Sequence, residues 1–465
     1  MDTLWIMGMK KDFEECVKMV EKIDFTMNGL VVLNVFETTI RYLGGLLAAY
    51  DLSEGQYPTL LSKAIELGDI LYSAFDTPNR MPVMRWEWQK TANGAPIEAA
   101  ESTLIAEIGS LGLEFTRISQ LTKDPKYFDA IQRVYDELEK AQPTTAIPGL
   151  WPIILDAKAL TFTFNLFTLG GMADSAFEYL PKQYLLVSGR KDQYKNMYES
   201  AIEAAKNHLF FRPLVPTEKP LLFSGTAKAI LDGPPVLDPQ GQHLTCFAGG
   251  MVALGAKAFD RREDLEIARQ LTEACMWAYE SLPSGLMPEV FHTLPCQTGV
   301  SKPEDPTQCV WNIEKWHKGI TDKFAETDAK VAEPPSAETY VKGKGLPPGF
   351  IDVDDARYIL RPEAMESLFI LYRLTGEQSF ADSAWKMFSS IVNATETDIA
   401  HAGVKDVRKP MSKDSPDRQA NLDDRMESFW TAETLKYAYL AFEEPGVVDL
   451  GQWVLNTEAH PLKIE

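Results

Sequence analysis

Residues 40–50 read Ile40-Arg41-Tyr42-Leu43-Gly44-Gly45-Leu46-Leu47-Ala48-Ala49-Tyr50. Apart from Arg41 the segment is apolar nearly all round, with small residues between large ones. A helix of that kind belongs in an interior, and its small side chains let neighbours come close. Residues 126–134, Lys126-Tyr127-Phe128-Asp129-Ala130-Ile131-Gln132-Arg133-Val134, have the opposite character: one apolar stripe at helical spacing, charge elsewhere. The two sorts alternate along the chain. Helical periodicity is clearest over residues 12–23, 37–50, 101–121, 127–141, 262–282 and 362–374, and strand-like alternation is scarce. Alternating buried and amphipathic helices predict an all-α fold of two concentric helical layers, an α/α toroid.

The buried-type helices recur. Their polar starts fall near Glu37, Glu107, Asp174, His243, Glu363 and Glu427, in steps of 64 to 70 residues apart from one of 120. A period of that size is one helical hairpin plus a loop. Six inner helices are visible, and one period back from Glu37 lies ahead of residue 1. One inner helix is therefore expected to be missing from a barrel of six or seven hairpins. The long step contains residues 295–348, rich in Pro, Lys, Glu and Asp, read as an inserted surface loop held by a Cys296–Cys309 disulfide. With too little apolar material there for a second core, residues 1–465 are expected to form one domain.

Composition narrows the function. The 465 residues are 45% hydrophobic and 24% charged, with a net charge of -21, which repels phosphate backbones and argues against nucleic acid. No apolar run reaches the roughly 20 residues a membrane span needs, and no signal peptide precedes Asp2, so the chain is expected to be either cytosolic or cut from a longer one. No CxxC pair suggests zinc among the five cysteines, and Asn393-Ala394-Thr395 is a sequon.

Acids at the starts of inner helices are the candidate chemistry, because a carboxylate inside a toroid is costly unless paired or used. Glu37 has Arg41 one turn on, Asp174 has Glu178, Glu363 lies between Arg361 and Glu366, and Glu427 and Glu433 flank Phe429. Taken singly, each acid reads as a first-turn charge stabilised by the helix dipole, by about 0.3–1 kcal/mol. Taken as a set with one period, alongside arginines and aromatics, they are expected to converge on one mouth of the barrel. Such a cluster suits glycoside hydrolysis, in which one acid protonates the leaving oxygen and another activates water. Oxygen-rich ligation with few histidines favours calcium over zinc. Gly44-Gly45 and Gly249-Gly250 lack a P-loop lysine and lie within helices, no GxSxG elbow is present, and the His243/Cys246 pair on one turn reads as structural.

Seven motifs then carry a resemblance: Asp2-Thr-Leu-Trp-Ile-Met-Gly8, Phe36-Glu-Thr-Thr-Ile-Arg41, Ala173-Asp-Ser175 with Glu178-Tyr-Leu180, His243-Leu-Thr-Cys-Phe247, Leu360-Arg-Pro-Glu363, Met426-Glu-Ser-Phe429 and Asn456-Thr-Glu-Ala-His-Pro461. In order and spacing the whole chain resembles glycoside hydrolase family 47, in its filamentous-fungal, class I form. That resemblance implies an (αα)7 barrel with a C-terminal extended segment entering it. It implies an inverting, Ca2+-dependent α-1,2-mannosidase of high-mannose N-glycans. Glu37 is then expected as general acid, Asp174 as a second catalytic acid, Glu363 as base and Glu289 as a further catalytic acid. Arg41, Glu114, His243, Arg361, Phe429, Glu433 and Glu458 are expected to bind substrate. Thr457 is expected to hold Ca2+ through its hydroxyl and carbonyl, with Glu363, Glu366, Glu433 and Glu458 bonding the bound waters. Cys246 and Cys275 are expected to form a disulfide, which would place the protein in an oxidising secretory lumen or outside the cell, with Cys16 left as a free, buried thiol. Met172, apolar where single-mannose enzymes of the family carry Arg, implies broader trimming. Expected partners are the high-mannose oligosaccharide or glycoprotein alone, with the chain a monomer. Two other readings are a mannose-binding, degradation-targeting relative with weak or no activity, and a toroid inactivated by its missing helix.

Overall fold

The two sorts of helix read from the sequence differ in burial. The computed structural model describes residues 1–27, 29, 31–300, 307–327 and 335–465. In the helix Pro125–Ala141 only Tyr127, Ala130, Ile131, Val134, Tyr135 and Leu138 are buried, a single stripe at three- and four-residue spacing. Asp124 caps it by accepting the Lys126 N–H, and Pro125 occupies the first position, where its missing N–H costs nothing. In the helices Asp174–Leu186 and Phe247–Ala258, by contrast, residues 175–183 and 247–256 are buried without interruption.

The described chain divides into two compact units. One comprises Met1–Phe167, Met172–Ile202 and Thr431–Glu465; the other comprises Thr168–Gly171 and Glu203–Trp430.

In the first unit, two predicted helices have internal structure that periodicity does not reveal. The helix expected over 37–50 is α-helical over Val35–Glu37, π-helical over Thr38–Leu43 and α-helical again over Gly44–Leu52. The helix expected over 101–121 is broken into Ile105–Gly109 and Gly112–Thr122. Side chains take over the ladder at the break: the Tyr135 hydroxyl donates to the Gly109 carbonyl at 3.1 Å, and Ser110 Oγ donates to Ser175 Oγ at 2.7 Å.

In the second unit, the helix Phe247–Ala258 packs against Asp264–Glu280 and Glu363–Thr375. The Gly249-Gly250 pair permits it. A Cβ at Gly249 would stand 2.1 Å from Thr272 Oγ1, and one at Gly250 2.8 Å from Ile370 Cδ1. The expected Cys246–Cys275 disulfide ties the first two of these helices, with a Cα–Cα distance of 6.0 Å. The Cys296–Cys309 disulfide also forms. The stretch around it is more ordered than the expected surface loop. It contains the helices Ile313–Thr327 and Ala337–Lys344, and Trp316, Ile320, Ala337 and Ile351 form a small core of their own. Apolar residues on these two helices and on the strand that follows, Phe350–Asp355, supply that core, which a count within the insertion misses. Parts of the insertion, at 301–306 and 328–334, lie outside the described residues. Cys16 is free, as expected, but only half-buried, because it sits at the margin of the buried stripe of the amphipathic helix Lys10–Val20. Among the described residues no helix is long and apolar enough to cross a membrane.

Among the described residues the strands are short; the longest, Phe350–Asp355, has six residues. It pairs antiparallel with Val290–Thr293, which pairs in turn with Gln240–Gln242. His292 on the central strand is 3% exposed, with Nδ1 2.7 Å from Asp354 and Nε2 2.8 Å from Asp238. Burial alone would push the imidazolium's pKa down, but the bonds to Asp238 and Asp354 outweigh it and lift it to about 9. A pKa raised on folding stabilises fully below the unfolded value near 6.5, and that contribution is lost as pH climbs through about 9. We expect unfolding free energy from denaturant titration to fall between pH 6.5 and 9 by up to about 3 kcal/mol, less whatever solvent screens at the exposed aspartates. His292→Gln should flatten that slope. Parallel pH profiles in the two proteins would show that the clamp does not contribute.

Candidate active site

The predicted residues fall into two sets, one in each unit. In the first unit, Glu37 sits where Asn34 caps the helix, its N–H donating to Asn34 Oδ1 at 3.1 Å. Its carboxylate accepts Arg41 Nε at 2.7 Å, and Arg41 Nη1 reaches Glu458 at 3.0 Å. The Glu37 side chain is 42% exposed and that of Glu458 6%, so a ligand meets Glu37 more readily. Burial pushes the Arg41 pKa down, but Glu458, Glu37 and Glu433 raise it above its ordinary value. Glu433 is itself buried.

The π-turn brings Glu37 and Arg41 next to the C-terminal segment. A π-turn shifts the backbone ladder to i→i+5, and one carbonyl within it, that of Ile40, accepts Asn456 Nδ2 at 2.9 Å. Asn456 Nδ2 also donates to Glu114 at 2.6 Å, while its Oδ1 accepts the N–H groups of Glu458 at 2.9 Å and His460 at 2.8 Å. All of this carboxamide's valences go to shaping residues 456–460 into a tight loop. Thr457 lies half-buried in it between buried neighbours. Its N–H donates to the Tyr179 hydroxyl at 3.4 Å. Its own hydroxyl and carbonyl meet no hydrogen-bond partner among the described residues. Two neutral oxygens on one fixed residue, with Glu458 adjoining, form a donor set that fits a hard cation such as Ca2+. No group of three or more His, Cys, Asp or Glu arranged for a metal occurs among the described residues.

Glu114, expected to bind substrate, has no exposed surface. It accepts Asn456 and the Tyr179 hydroxyl, at 2.8 Å for the latter, and its Oε2 has no partner among the described residues. Burial pushes its pKa up to about 7 against the pull of these neutral donors. Glu114 thus meets Asn456 and Tyr179, the two residues that bond the Thr457 loop. Asp174 opens the helix Asp174–Leu186, and Glu178 and Lys182 follow on the same face, paired at 2.5 Å. Met172 is 49% exposed.

In the second unit, Glu289, Arg361, Glu363 and His243 form one chain of contacts. Glu289 accepts Arg361 Nε and, at 3.3 Å, the Ile359 N–H, so both carboxylate oxygens are engaged. Arg361 Nη1 lies 3.5 Å from Glu363, and its guanidinium stands 5.7 Å from the Phe429 ring centroid. Glu363 accepts His243 Nδ1 at 2.8 Å, and His243 Nε2 meets the Tyr279 hydroxyl at 2.7 Å. Burial pushes the Glu363 pKa up, but the His243 hydrogen bond and Arg361 overcome it and hold the group below its ordinary value. Its side chain keeps 13% exposure, whereas His243 has none. His243, expected to line a sugar subsite, is fully buried between Glu363 and the Tyr279 hydroxyl. Tyr279 has no signal in the sequence; only the fold shows it.

Strained backbone adjoins three of these positions. Met172, Leu360 and Ala459, none of them glycine, have φ of +74°, +71° and +55°. They precede Asp174 and Arg361 and follow Glu458. A left-handed non-glycine residue costs about 1–3 kcal/mol and persists where its surroundings over-determine it, often at functional sites.

Helices that open on the acids Asp174 and Glu363, arginines paired with glutamates, and half-buried Phe429 beside Arg361 mark a protein of the α/α class. The sequence profile of glycosyl hydrolase family 47 matches residues 1–464. The human endoplasmic reticulum mannosyl-oligosaccharide 1,2-alpha-mannosidase is 32% identical, over 100% of this chain and 57% of that protein. A probable mannosyl-oligosaccharide alpha-1,2-mannosidase 1B of Aspergillus niger is 30% identical, over 96% of this chain and 79% of that protein. The solved α-1,2-mannosidase from Trichoderma reesei is 31% identical with a TM-score of 0.79, covering 100% of this chain and 89% of that one. The chain belongs to glycosyl hydrolase family 47, and its fold class is the (αα)7 barrel of that structural match. It spans 57% and 61% of the length of the human and rat relatives.

His243→Phe should raise the pKa of Glu363, because burial is then opposed only by Arg361 and a backbone hydrogen bond. Carboxyl 13C shifts across a pH titration measure this, and an unmoved Glu363 resonance would remove His243 from the account.

Proposed function

We propose that this chain removes terminal α-1,2-linked mannose from high-mannose N-glycans, with inversion and with Ca2+ as cofactor, as one catalytic domain over residues 1–465. The observation that carries the reading is Glu363: a nearly buried carboxylate kept ionised by His243 and Arg361, with one edge still accessible. That is what a general base for water requires, since a buried acid without such partners would be protonated.

In this mechanism Glu363 takes a proton from water as the water oxygen bonds to the anomeric carbon. The bond from that carbon to the glycosidic oxygen breaks, and the leaving oxygen receives a proton from Glu37, directly or through a water, with Asp174 as the second acid. Water attacks opposite the leaving group, so configuration inverts. Glu289 holds Arg361 and the 359–361 backbone in place, which aims Glu363. Phe429 gives an apolar platform for a ring face, and Arg41 bonds sugar hydroxyls. Thr457 would hold Ca2+ by its two oxygens, with Glu363, Glu366, Glu433 and Glu458 within the water network. When bound, Ca2+ supplies a template and Lewis acid for sugar hydroxyls and water. The two disulfides support an oxidising compartment, the secretory lumen or outside the cell. We further propose that the chain acts as a monomer on glycoprotein or free oligosaccharide.

Incubation with a nine-mannose oligosaccharide should release mannose, and a chelator should stop it reversibly. Sugar binding without release would favour a lectin-like relative, and release that survives complete calcium removal would exclude the cofactor. Glu363→Gln should lower kcat by about 10²–10⁴-fold, the usual contribution of a general base. Undiminished turnover would rule that residue out as base. Met172→Arg should shorten the set of products, read by mass spectrometry; an unchanged product ladder would detach specificity from this position.

A further inference from the structure

We propose that Asp2, Lys436 and His460 are positioning residues for the cation seat, holding the Thr457 loop in its binding geometry; this rests on Thr457 as the Ca2+ ligand. Lys436 has no exposed surface, and a buried ammonium is costly unless fully paired. Two acceptors meet it: Asp2 Oδ2 at 2.6 Å and the Ala459 carbonyl at 2.7 Å. Asp2 is 1% exposed, and its Oδ2 also meets His460 Nδ1 at 2.7 Å. The cation thus grips the loop's main chain at Ala459, while the carboxylate grips its side chain at His460.

That grip falls where the loop needs it. Ala459 is the left-handed residue of the loop, with φ +55°, a conformation that an unaided alanine does not keep. The Lys436 bond fixes its carbonyl direction, two residues beyond Thr457. The His460 ring is trapped from the other side by the helix Gly44–Leu52. A Cβ at Gly44 would stand 2.7 Å from Asn456 Nδ2 and 3.2 Å from His460 Cδ2, and one at Gly45 3.3 Å from His460 Cε1. The Gly44-Gly45 pair is therefore the floor of this loop. Asp2 and Lys436 are too deeply buried to touch a sugar, and they meet the loop directly at the His460 ring and the Ala459 carbonyl. Apolar side chains would fill that space without a buried ion pair; what they could not do is hold the Ala459 carbonyl.

The test is isothermal titration of Ca2+ into the chelator-stripped full chain, with the melting temperature of the calcium-free protein measured alongside. Lys436→Met and Asp2→Asn should each weaken Ca2+ binding by about 10–100-fold, the usual consequence of removing a partner behind a metal ligand. Should either fail to fold, Gly45→Ala, which presses only on the His460 ring, gives the same readout and the same direction. Variants that melt lower without calcium yet bind Ca2+ as tightly as the parent would overturn the proposal and leave a structural ion pair. A parent chain that binds no Ca2+, or a Thr457→Val variant that binds it undiminished, would overturn the seat itself, and the positioning role with it.

Discussion

A carboxylate removed from water costs several kcal/mol unless a cation or hydrogen-bond donors meet it. Both units of this protein are organised around that cost. In one, Arg361 lies between Glu289 and Glu363, and His243 meets Glu363 from behind. In the other, Arg41 lies between Glu37 and Glu458, Lys182 meets Glu178, and Lys436 meets Asp2. The partners decide what each acid can do. Glu363, nearly buried, and Glu114, fully buried, both lie on interior helices, yet they shift in opposite directions. Glu363 faces an arginine and an imidazole, which favour its charged form, and is held low. Glu114 faces an amide and a phenol, neutral donors too weak to offset burial, and rises to about 7. One is fitted to accept a proton; the other is fitted to hold a loop.

The backbone around these acids is held in conformations that the local sequence does not favour. Left-handed Met172, Leu360 and Ala459 and the π-turn Thr38–Leu43 all adjoin the acidic positions. Two of them are held by side chains reaching from elsewhere in their own unit. Asn456 bonds the π-turn carbonyl of Ile40, and Lys436 bonds the carbonyl of Ala459. A strained backbone of this kind fixes side-chain direction more tightly than a relaxed one, because relaxing it would break bonds that nothing else in the fold replaces.

The sequence disclosed its acids and their neighbouring arginines and hid the distant partners, for a physical reason. Hydrophobic periodicity detects which face of a helix is buried, so an acid on an apolar helix, such as Glu37, Asp174 or Glu363, stands out as an exception. Lys436 lies on an equally apolar helix, Leu435–Phe442, but a lone lysine near a chain's end reads as a surface residue until Asp2 is seen beside it. The pairing spans 434 residues, and no spacing rule reaches that far. The partners of Tyr279 and Tyr179 were hidden for the same reason: an aromatic on a buried stripe reads as packing, and only the fold shows that the hydroxyl of one meets His243 and that of the other meets Glu114. The glycine pairs were legible in part: their place inside helices and their room for a close neighbour could be read, but not which neighbour. Judged as possible phosphate loops they carry nothing, because a glycine's use depends on what comes within contact of the absent Cβ. For Gly249-Gly250 that is a neighbouring helix; for Gly44-Gly45 it is Asn456 and His460. A motif such as Asn456-Thr-Glu-Ala-His-Pro461 therefore cannot be understood from its own residues, since the groups that give it shape are the glycines of one helix, the lysine of another and an aspartate at the far end of the chain.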